Sequence, residues 1–163
     1  MLLDKYFKYP VMYDYLISMV VILIISICHC YGLFNLPNDQ RSLSMTTDLS
    51  NIGLTSAGFI LTLLTVLITF KSSSKLTKKE YSEDNSLFEL FFTSDLYFIT
   101  VGILKNSIKS LIFISVFGFS LKLGLPNDFL KYTFYFNIFG LIVIAFTLYR
   151  CLLILGKVLK MQQ

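Results

Sequence analysis

The sequence predicts an all-α, polytopic membrane protein with four transmembrane helices and a cytoplasmic or interfacial helical segment before the third span. The first observation is composition. Hydrophobic residues make up 55% of the 163 residues and charged residues only 15%, whereas soluble domains carry about 25% charged residues. The second is that the apolar residues form long runs, close to the ~20 residues that a helix needs to cross the hydrocarbon core. Helices are expected because an open strand cannot satisfy its backbone hydrogen bonds in lipid. The whole chain, residues 1–163, is predicted to form a single membrane domain.

The four spans are predicted at residues 15–34, 51–70, 107–123 and 132–155. No Asp or Glu falls in the apolar interior of any of them. Starting the third span near Ser107 keeps Lys105 and Lys109 at the interface, because a cation within the hydrocarbon costs about 2.5–3.5 kcal/mol. Arg150 lies near the inner end of the fourth span and is predicted to anchor that end at the membrane surface.

The distribution of lysine and arginine predicts the orientation. With the N-terminus inside, eleven of the 14 lie on the cytoplasmic side and three lie outside, namely Arg41, Lys122 and Lys131. This asymmetry satisfies the positive-inside rule. We therefore predict a multi-pass protein of the cytoplasmic (inner) membrane, with both termini in the cytoplasm.

A polar loop and a Phe-rich stretch separate the second span from the third, over residues 71–106. Ser86 and Glu89 have the spacing of a capping box, which predicts that a helix begins there. Lipid or the other helices can cover the apolar side of this segment, and so can a partner protein. Under the last alternative, the candidate docking residues are Phe88, Phe91, Lys105 and Lys109.

A stripe of polar and small residues follows one face of the second span. Its members recur at steps of three and four, which places them on one side of a helix. They are Asn51, Thr55, Gly58, Thr62, Thr65 and Thr69. A similar stripe on the fourth span contains Asn137, Gly140 and Thr147. Such a face can pack against another helix of the same protomer, form a seam between protomers, or line a narrow polar pathway.

The sequence offers no recognisable catalytic, cofactor-binding or metal-binding site. Nothing in it has the pattern of a phosphate-binding loop, a catalytic triad or a pair of catalytic carboxylates. Cys28, His29 and Cys30 are adjacent, but neighbouring residues point in different directions from a helix and no second cluster completes four ligands. We predict a protein that is not an enzyme and does not bind nucleic acid directly. Its expected contacts are the lipid bilayer, further copies of the chain and a cytoplasmic protein.

The second span and the Phe-rich segment together resemble part of a known class of membrane proteins. Residues 51–70 (NIGLTSAGFILTLLTVLITF), a short polar loop, and residues 87–98 (LFELFFTSDLYF) are similar to small four-helix membrane proteins found with bacterial antiphage systems. The membrane subunit of the Kiwa system is an example. The resemblance covers residues 48–125, lies in the layout, and transfers no functional residue. It implies a component of the cytoplasmic membrane that senses infection or perturbs the membrane beside a soluble cytoplasmic partner.

Three hypotheses of function follow. The first is a non-enzymatic membrane component that self-associates and couples to a cytoplasmic partner, acting as a sensor or membrane-perturbing effector in antiphage defence. The second is a small channel or permease whose pathway follows the Thr-lined helix faces. The third is a structural accessory subunit of a larger membrane complex.

Overall fold

Four long helices make up most of the chain. The computed structural model describes residues 10–77, 91, 92 and 94–160. A 3-10 helix, Asn127–Tyr132, leads into the last of the long helices. The long helices are α1 (Pro10–Cys30), α2 (Asp39–Thr77), α3 (Asp95–Gly124) and α4 (Thr133–Lys160). Over these residues the structure therefore confirms an all-helical fold, with four helices long and apolar enough to cross a membrane.

The connection between α1 and α2 explains why α1 ends before the predicted limit of residue 34. Gly32 has a φ of 71°, a left-handed conformation that a residue without a Cβ adopts at no steric cost. The Gly32 amide donates to the His29 carbonyl, and the Leu33 amide donates to the Cys28 carbonyl. These two bonds close the helix end and turn the chain towards α2.

Helix α2 extends well beyond the predicted span at both ends. Its start is capped by the Asn38 side chain, whose oxygen accepts a hydrogen bond from the Arg41 amide at 3.0 Å. Polar residues between residues 39 and 50 interrupt the apolar pattern from which the span was predicted. Ser42, Thr46 and Ser50 are completely buried in the bundle, and the hydroxyls of the latter two donate to carbonyls of their own helix.

Helix α3 begins before the predicted span and carries two lysines through its first half. It starts at Asp95, and both Lys105 and Lys109 lie on its exposed side. Residues 78–90 and 93 lie outside the described residues, so the predicted capping box at Ser86 and Glu89 is not addressed. The helix ends at Gly124, and Pro126 precedes the 3-10 helix.

Neighbouring helices run in alternating directions. Helices α1 and α4 are antiparallel, since Asp14 contacts Arg150 at one end and His29 contacts Tyr135 at the other. Helices α2 and α4 begin at the same end, where the Asn137 amide donates to the Ser42 carbonyl. We call this the outer end and the opposite one the inner end, following the predicted orientation.

Small residues bring α2 and α3 together in the most extensive helix contact of the bundle. A Cβ atom added at Gly53 would collide with the Ser115 hydroxyl of α3, and one added at Gly118 would collide with the Ser50 hydroxyl of α2. In lipid, where apolar side chains gain nothing by leaving the solvent, such close backbone approach is a main source of helix association. The reciprocal glycine and serine pairs therefore determine how α2 and α3 pack.

Candidate functional site: a buried ion pair between the first and last helices

A fully buried ion pair joins α1 to α4 near the inner end. The Arg150 Nη1 atom donates to the Asp14 Oδ2 atom at 2.6 Å, and the side chains are 1% and 0% exposed. Two expectations from the sequence are corrected here. Arg150 does not anchor α4 at a surface, because its guanidinium points into the bundle. An acidic residue does lie within a membrane-length helix, because α1 includes Asp14, which the predicted first span excluded by one position.

Helix α3 contributes the third side of this site. The Arg150 Nη2 atom donates to the Ser107 hydroxyl at 3.3 Å. One turn along α3, the Ser110 hydroxyl lies 3.0 Å from the Tyr15 hydroxyl of α1. We call Asp14, Tyr15, Ser107, Ser110 and Arg150 the inner polar cluster. It links three of the four helices through hydrogen bonds that do not depend on apolar packing.

Helix α1 depends on polar contacts more than the other helices do. Only Pro10, Asp14 and Ser18 are buried among its residues, while most of its apolar side chains face outward. If α1 spans a bilayer, its apolar face is equally well solvated by acyl chains and by other helices. Two polar contacts therefore hold α1 against the bundle. One is the inner polar cluster. The other is at the outer end, where the Tyr135 hydroxyl lies 3.1 Å from His29 Nδ1.

The electrostatics of the pair explain why both charges can exist inside an apolar bundle. A single buried charge is expensive, whereas a paired and hydrogen-bonded one is tolerated. Arg150 donates to two acceptors on two helices, and the Asp14 carboxylate has the guanidinium at ion-pair distance. Chemically, this arrangement neutralises charge and aligns helices. Within the described ranges, no group of three or more His, Cys, Asp or Glu side chains could hold a metal ion.

The predicted stripe on α2 lies on the outside of the bundle. Its members Asn51, Thr55, Gly58, Thr62, Thr65 and Thr69 are all exposed. Each threonine hydroxyl donates to a carbonyl four residues earlier in the same helix, at 2.9–3.0 Å. For α2, the interpretation of this stripe as a packing face within one protomer is therefore wrong. The face that packs inside is a different one, and it includes Ser50, Gly53 and Ala57.

The predicted stripe on α4 has the opposite placement. Asn137, Gly140 and Thr147 are buried in the bundle. A Cβ atom added at Gly140 would lie 2.6 Å from the Leu49 side chain of α2 and 3.1 Å from Ile114 of α3. This stripe is a packing face within the protomer. The stripe on α4 faces the inside of the bundle, whereas the stripe on α2 faces the outside. The two stripes therefore do not line a common channel within one protomer.

The candidate docking residues divide into three groups. Lys105 and Lys109 are exposed in the inner half of α3. Phe91 is only 6% exposed and packs against the rings of Phe92 and Tyr97, at centroid distances of 5.3 and 6.1 Å, so it offers no free surface for docking. Phe88 lies outside the described residues.

An aromatic cluster occupies the inner end beside these residues. The Lys71 ammonium at the end of α2 lies 3.9 Å from the ring centroids of both Tyr97 and Phe98 of α3. Cation–π contacts of this kind tie a lysine to the faces of aromatic rings. The contact fastens the inner end of α2 to the beginning of α3, which supports the glycine and serine pairs farther along the same two helices.

The inner polar cluster was missed because its members come from distant parts of the sequence. Asp14 precedes the first apolar run by one residue, and Arg150 interrupts the last one. Opposite charges near the inner ends of two predicted spans were the available indication that they pair. Ser107 gave no indication of its own, since a single serine in an apolar run is ordinary.

Comparisons with protein-family models, with curated proteins and with solved structures find no match to this chain.

Proposed function

We propose that this chain is a non-enzymatic, multi-pass component of the cytoplasmic membrane that self-associates through the outer face of α2. In this proposal both termini are cytoplasmic, and the protein couples to a cytoplasmic partner. The resemblance of residues 48–125 to small membrane proteins of antiphage systems further suggests a role as a sensor or membrane-perturbing effector of defence. The observation that carries self-association is the exposure of a continuous polar and small-residue stripe on a helix surrounded by lipid.

The chemistry of the stripe suits contact with a second helix. Its threonine hydroxyls are already bonded within the helix, so two copies can approach without leaving unsatisfied donors. Gly58 has nothing within 4 Å of the position of a Cβ atom, which leaves room for a neighbouring backbone. Asn51 presents an exposed amide, and an amide in lipid gains more from a polar partner on another helix than from acyl chains.

The inner half of α3 is the proposed contact for the cytoplasmic partner. Exposed Lys105 and Lys109 lie in the inner half of α3, and Lys109 lies beside Pro10, the first described residue of α1. They offer positive charge to an acidic surface. With Phe91 buried, the proposed docking surface consists of these lysines and does not include that ring.

Replacing both Thr62 and Thr65 with leucine is expected to weaken self-association by roughly 5–10-fold. Each hydroxyl donates within its own helix but can still accept a hydrogen bond across the seam, worth about 0.6 kcal/mol. Dissociation would be measured by energy transfer between labelled copies in vesicles, over a series of protein-to-lipid ratios. Ser120→Leu is the matched control, because Ser120 is another exposed hydroxyl that donates to its own helix, on α3. An unchanged oligomer in both detergent and lipid would remove the proposed seam.

Cysteine labelling is expected to place the end of α1 outside the cell. Cys30 is exposed at that end, whereas Cys151 is buried, so a membrane-impermeant maleimide added to spheroplasts should label wild-type protein. Labelling should disappear when Cys28 and Cys30 are replaced with serine. Adding Ser72→Cys to that background, at an exposed position near the inner end of α2, should restore it only after permeabilisation. Labelling of Ser72→Cys in intact spheroplasts would contradict the proposed orientation.

A further inference from the structure

A groove separates the beginning of α1 from α3 at the inner end. It encloses about 440 Å³. From α3 it is lined by Asn106, Lys109 and Ser110, and from α1 by Val11, Met12 and Tyr15. One wall is therefore polar and carries a cation, while the other is mainly apolar.

We propose that this groove binds the phosphate of an anionic phospholipid from the inner leaflet, with Lys109 as the residue that selects for negative charge. The proposal rests on the membrane insertion and orientation given under the proposed function. It does not depend on self-association or on a defence role. Clefts between membrane helices that carry basic side chains on the cytoplasmic side are suited to anionic headgroups.

The net charge of the described residues around the groove favours an anion. Lys109 is exposed at its mouth. Among the described residues that line the groove or adjoin the lining in sequence, the one carboxylate belongs to Asp14. That carboxylate is paired with the Arg150 guanidinium at 2.6 Å, so it does not offset the charge of Lys109.

The floor of the groove supplies hydrogen-bond donors. The Tyr15 and Ser110 hydroxyls lie 3.0 Å apart, and either can donate to the other. A pair of hydroxyls has two protons and uses one in the bond between them, so the second can be donated to a phosphate oxygen. The amide of Asn106, which is exposed beside them, adds further donors. These groups would hold a phosphate with charge-assisted hydrogen bonds.

The location matches a lipid better than a soluble phosphate. Val11 and Met12 form the apolar wall on the side of α1, and the outward-facing residues of α1 beyond them are apolar, including Leu16, Met19 and Val20. A headgroup in the groove would thus have its acyl chains beside an apolar helix surface. A free phosphate would gain nothing from this wall.

The test compares two lysines that lie one turn apart on α3. Both Lys105 and Lys109 are exposed, but only Lys109 lines the groove. The purified full chain in detergent would be incubated with phosphatidylglycerol or phosphatidylcholine, and bound lipid counted by native mass spectrometry. Wild-type protein and Lys105→Gln should retain phosphatidylglycerol preferentially. In Lys109→Gln the ratio of bound phosphatidylglycerol to bound phosphatidylcholine should fall about fivefold, the amount expected for the loss of one lysine near an anionic surface.

Tyr15→Phe combined with Ser110→Ala provides a second variant that leaves the charge of the groove intact and removes both hydroxyls from its floor. It should weaken phosphatidylglycerol retention without changing helix content measured by circular dichroism. Inorganic phosphate is the competitor that distinguishes the two sources of the anion. Failure of millimolar phosphate to displace the lipid supports the proposal, whereas displacement that depends on Lys109 would assign the groove to a soluble phosphate and overturn it.

Two other outcomes would also overturn the proposal. Equal losses in Lys105→Gln and Lys109→Gln would mean that lipid responds to diffuse surface charge. Equal retention of phosphatidylglycerol and phosphatidylcholine by wild-type protein would mean that the groove does not select an anion. Either result would leave the oligomer measurement on Thr62 and Thr65 unaffected, so failure of this inference is distinguishable from failure of the proposed function.

Discussion

Arg150→Leu is expected to destabilise the bundle by about 3–5 kcal/mol, because it removes the Arg150 guanidinium from the buried Asp14 carboxylate. The Asp14 carboxylate cannot reach water easily, since its side chain is 0% exposed. The same substitution removes the donor to Ser107 and so disconnects α3 from the inner polar cluster. The free energy of unfolding in mixed micelles, followed by the loss of helical circular dichroism, would measure the effect.

A double variant separates the cost of burying the Asp14 charge without Arg150 from the loss of the contact itself. Replacing both Asp14 and Arg150 with leucine removes both charges, so the free energy of unfolding should recover part of the way towards the wild-type value. It should not recover fully, because α1 then lacks its main polar contact with α4. Lys105→Leu, which removes an exposed cation from α3, should change stability little. A double variant no more stable than Arg150→Leu would contradict this account of the pair.

Gly53→Leu is expected to separate α2 from α3 and to cost about 1–3 kcal/mol, the usual range for inserting atoms into a packed interior. Even the first added carbon would collide with the Ser115 hydroxyl, and it would lie 3.4 Å from the Leu111 carbonyl oxygen. The Leu111 backbone belongs to a helix that already packs against α4, so it has little room to move. Unfolding in mixed micelles provides the measurement here as well.

Gly58→Leu is the control for this substitution, on the same helix and with the same change of residue. No atom lies within 4 Å of a Cβ at position 58, so the unfolding free energy of the protomer should stay near the wild-type value. Because Gly58 lies in the exposed stripe, this variant should instead reduce self-association. If Gly53→Leu and Gly58→Leu had equal effects on protomer stability, the assignment of the inner and outer faces of α2 would be wrong.

The number and type of the long helices could be predicted from the sequence, because both depend on local properties. A run of apolar residues near the length of a membrane crossing is visible without knowing its neighbours. The structure accordingly confirms four helices of that length. The first and last residues of the helices were harder to predict from the sequence. Polar residues such as Ser42 and Thr46 interrupted the apolar pattern of α2, although their burial against other helices makes them part of the bundle.

The inner polar cluster could not be predicted, because pairing depends on which helices become neighbours. Asp14 and Arg150 are separated by 136 positions in the chain, and each by itself has the appearance of a charge at the end of a span. Only the antiparallel packing of α1 on α4 brings their side chains together. The prediction that Arg150 anchors its span at the membrane surface was therefore wrong.

What the sequence by itself determined is the presence of four membrane-length helices and the periodicity of small and polar residues along two of them. The tertiary structure decided which of these faces is buried. Helix α2 has small and hydroxyl-bearing residues on two sides, and spacing alone does not distinguish the side with Thr62 from the side with Gly53. The choice follows from steric fit, because Ser115 and Gly118 of α3 complement Gly53 and Ser50, and that fit exists only once the two helices are in contact.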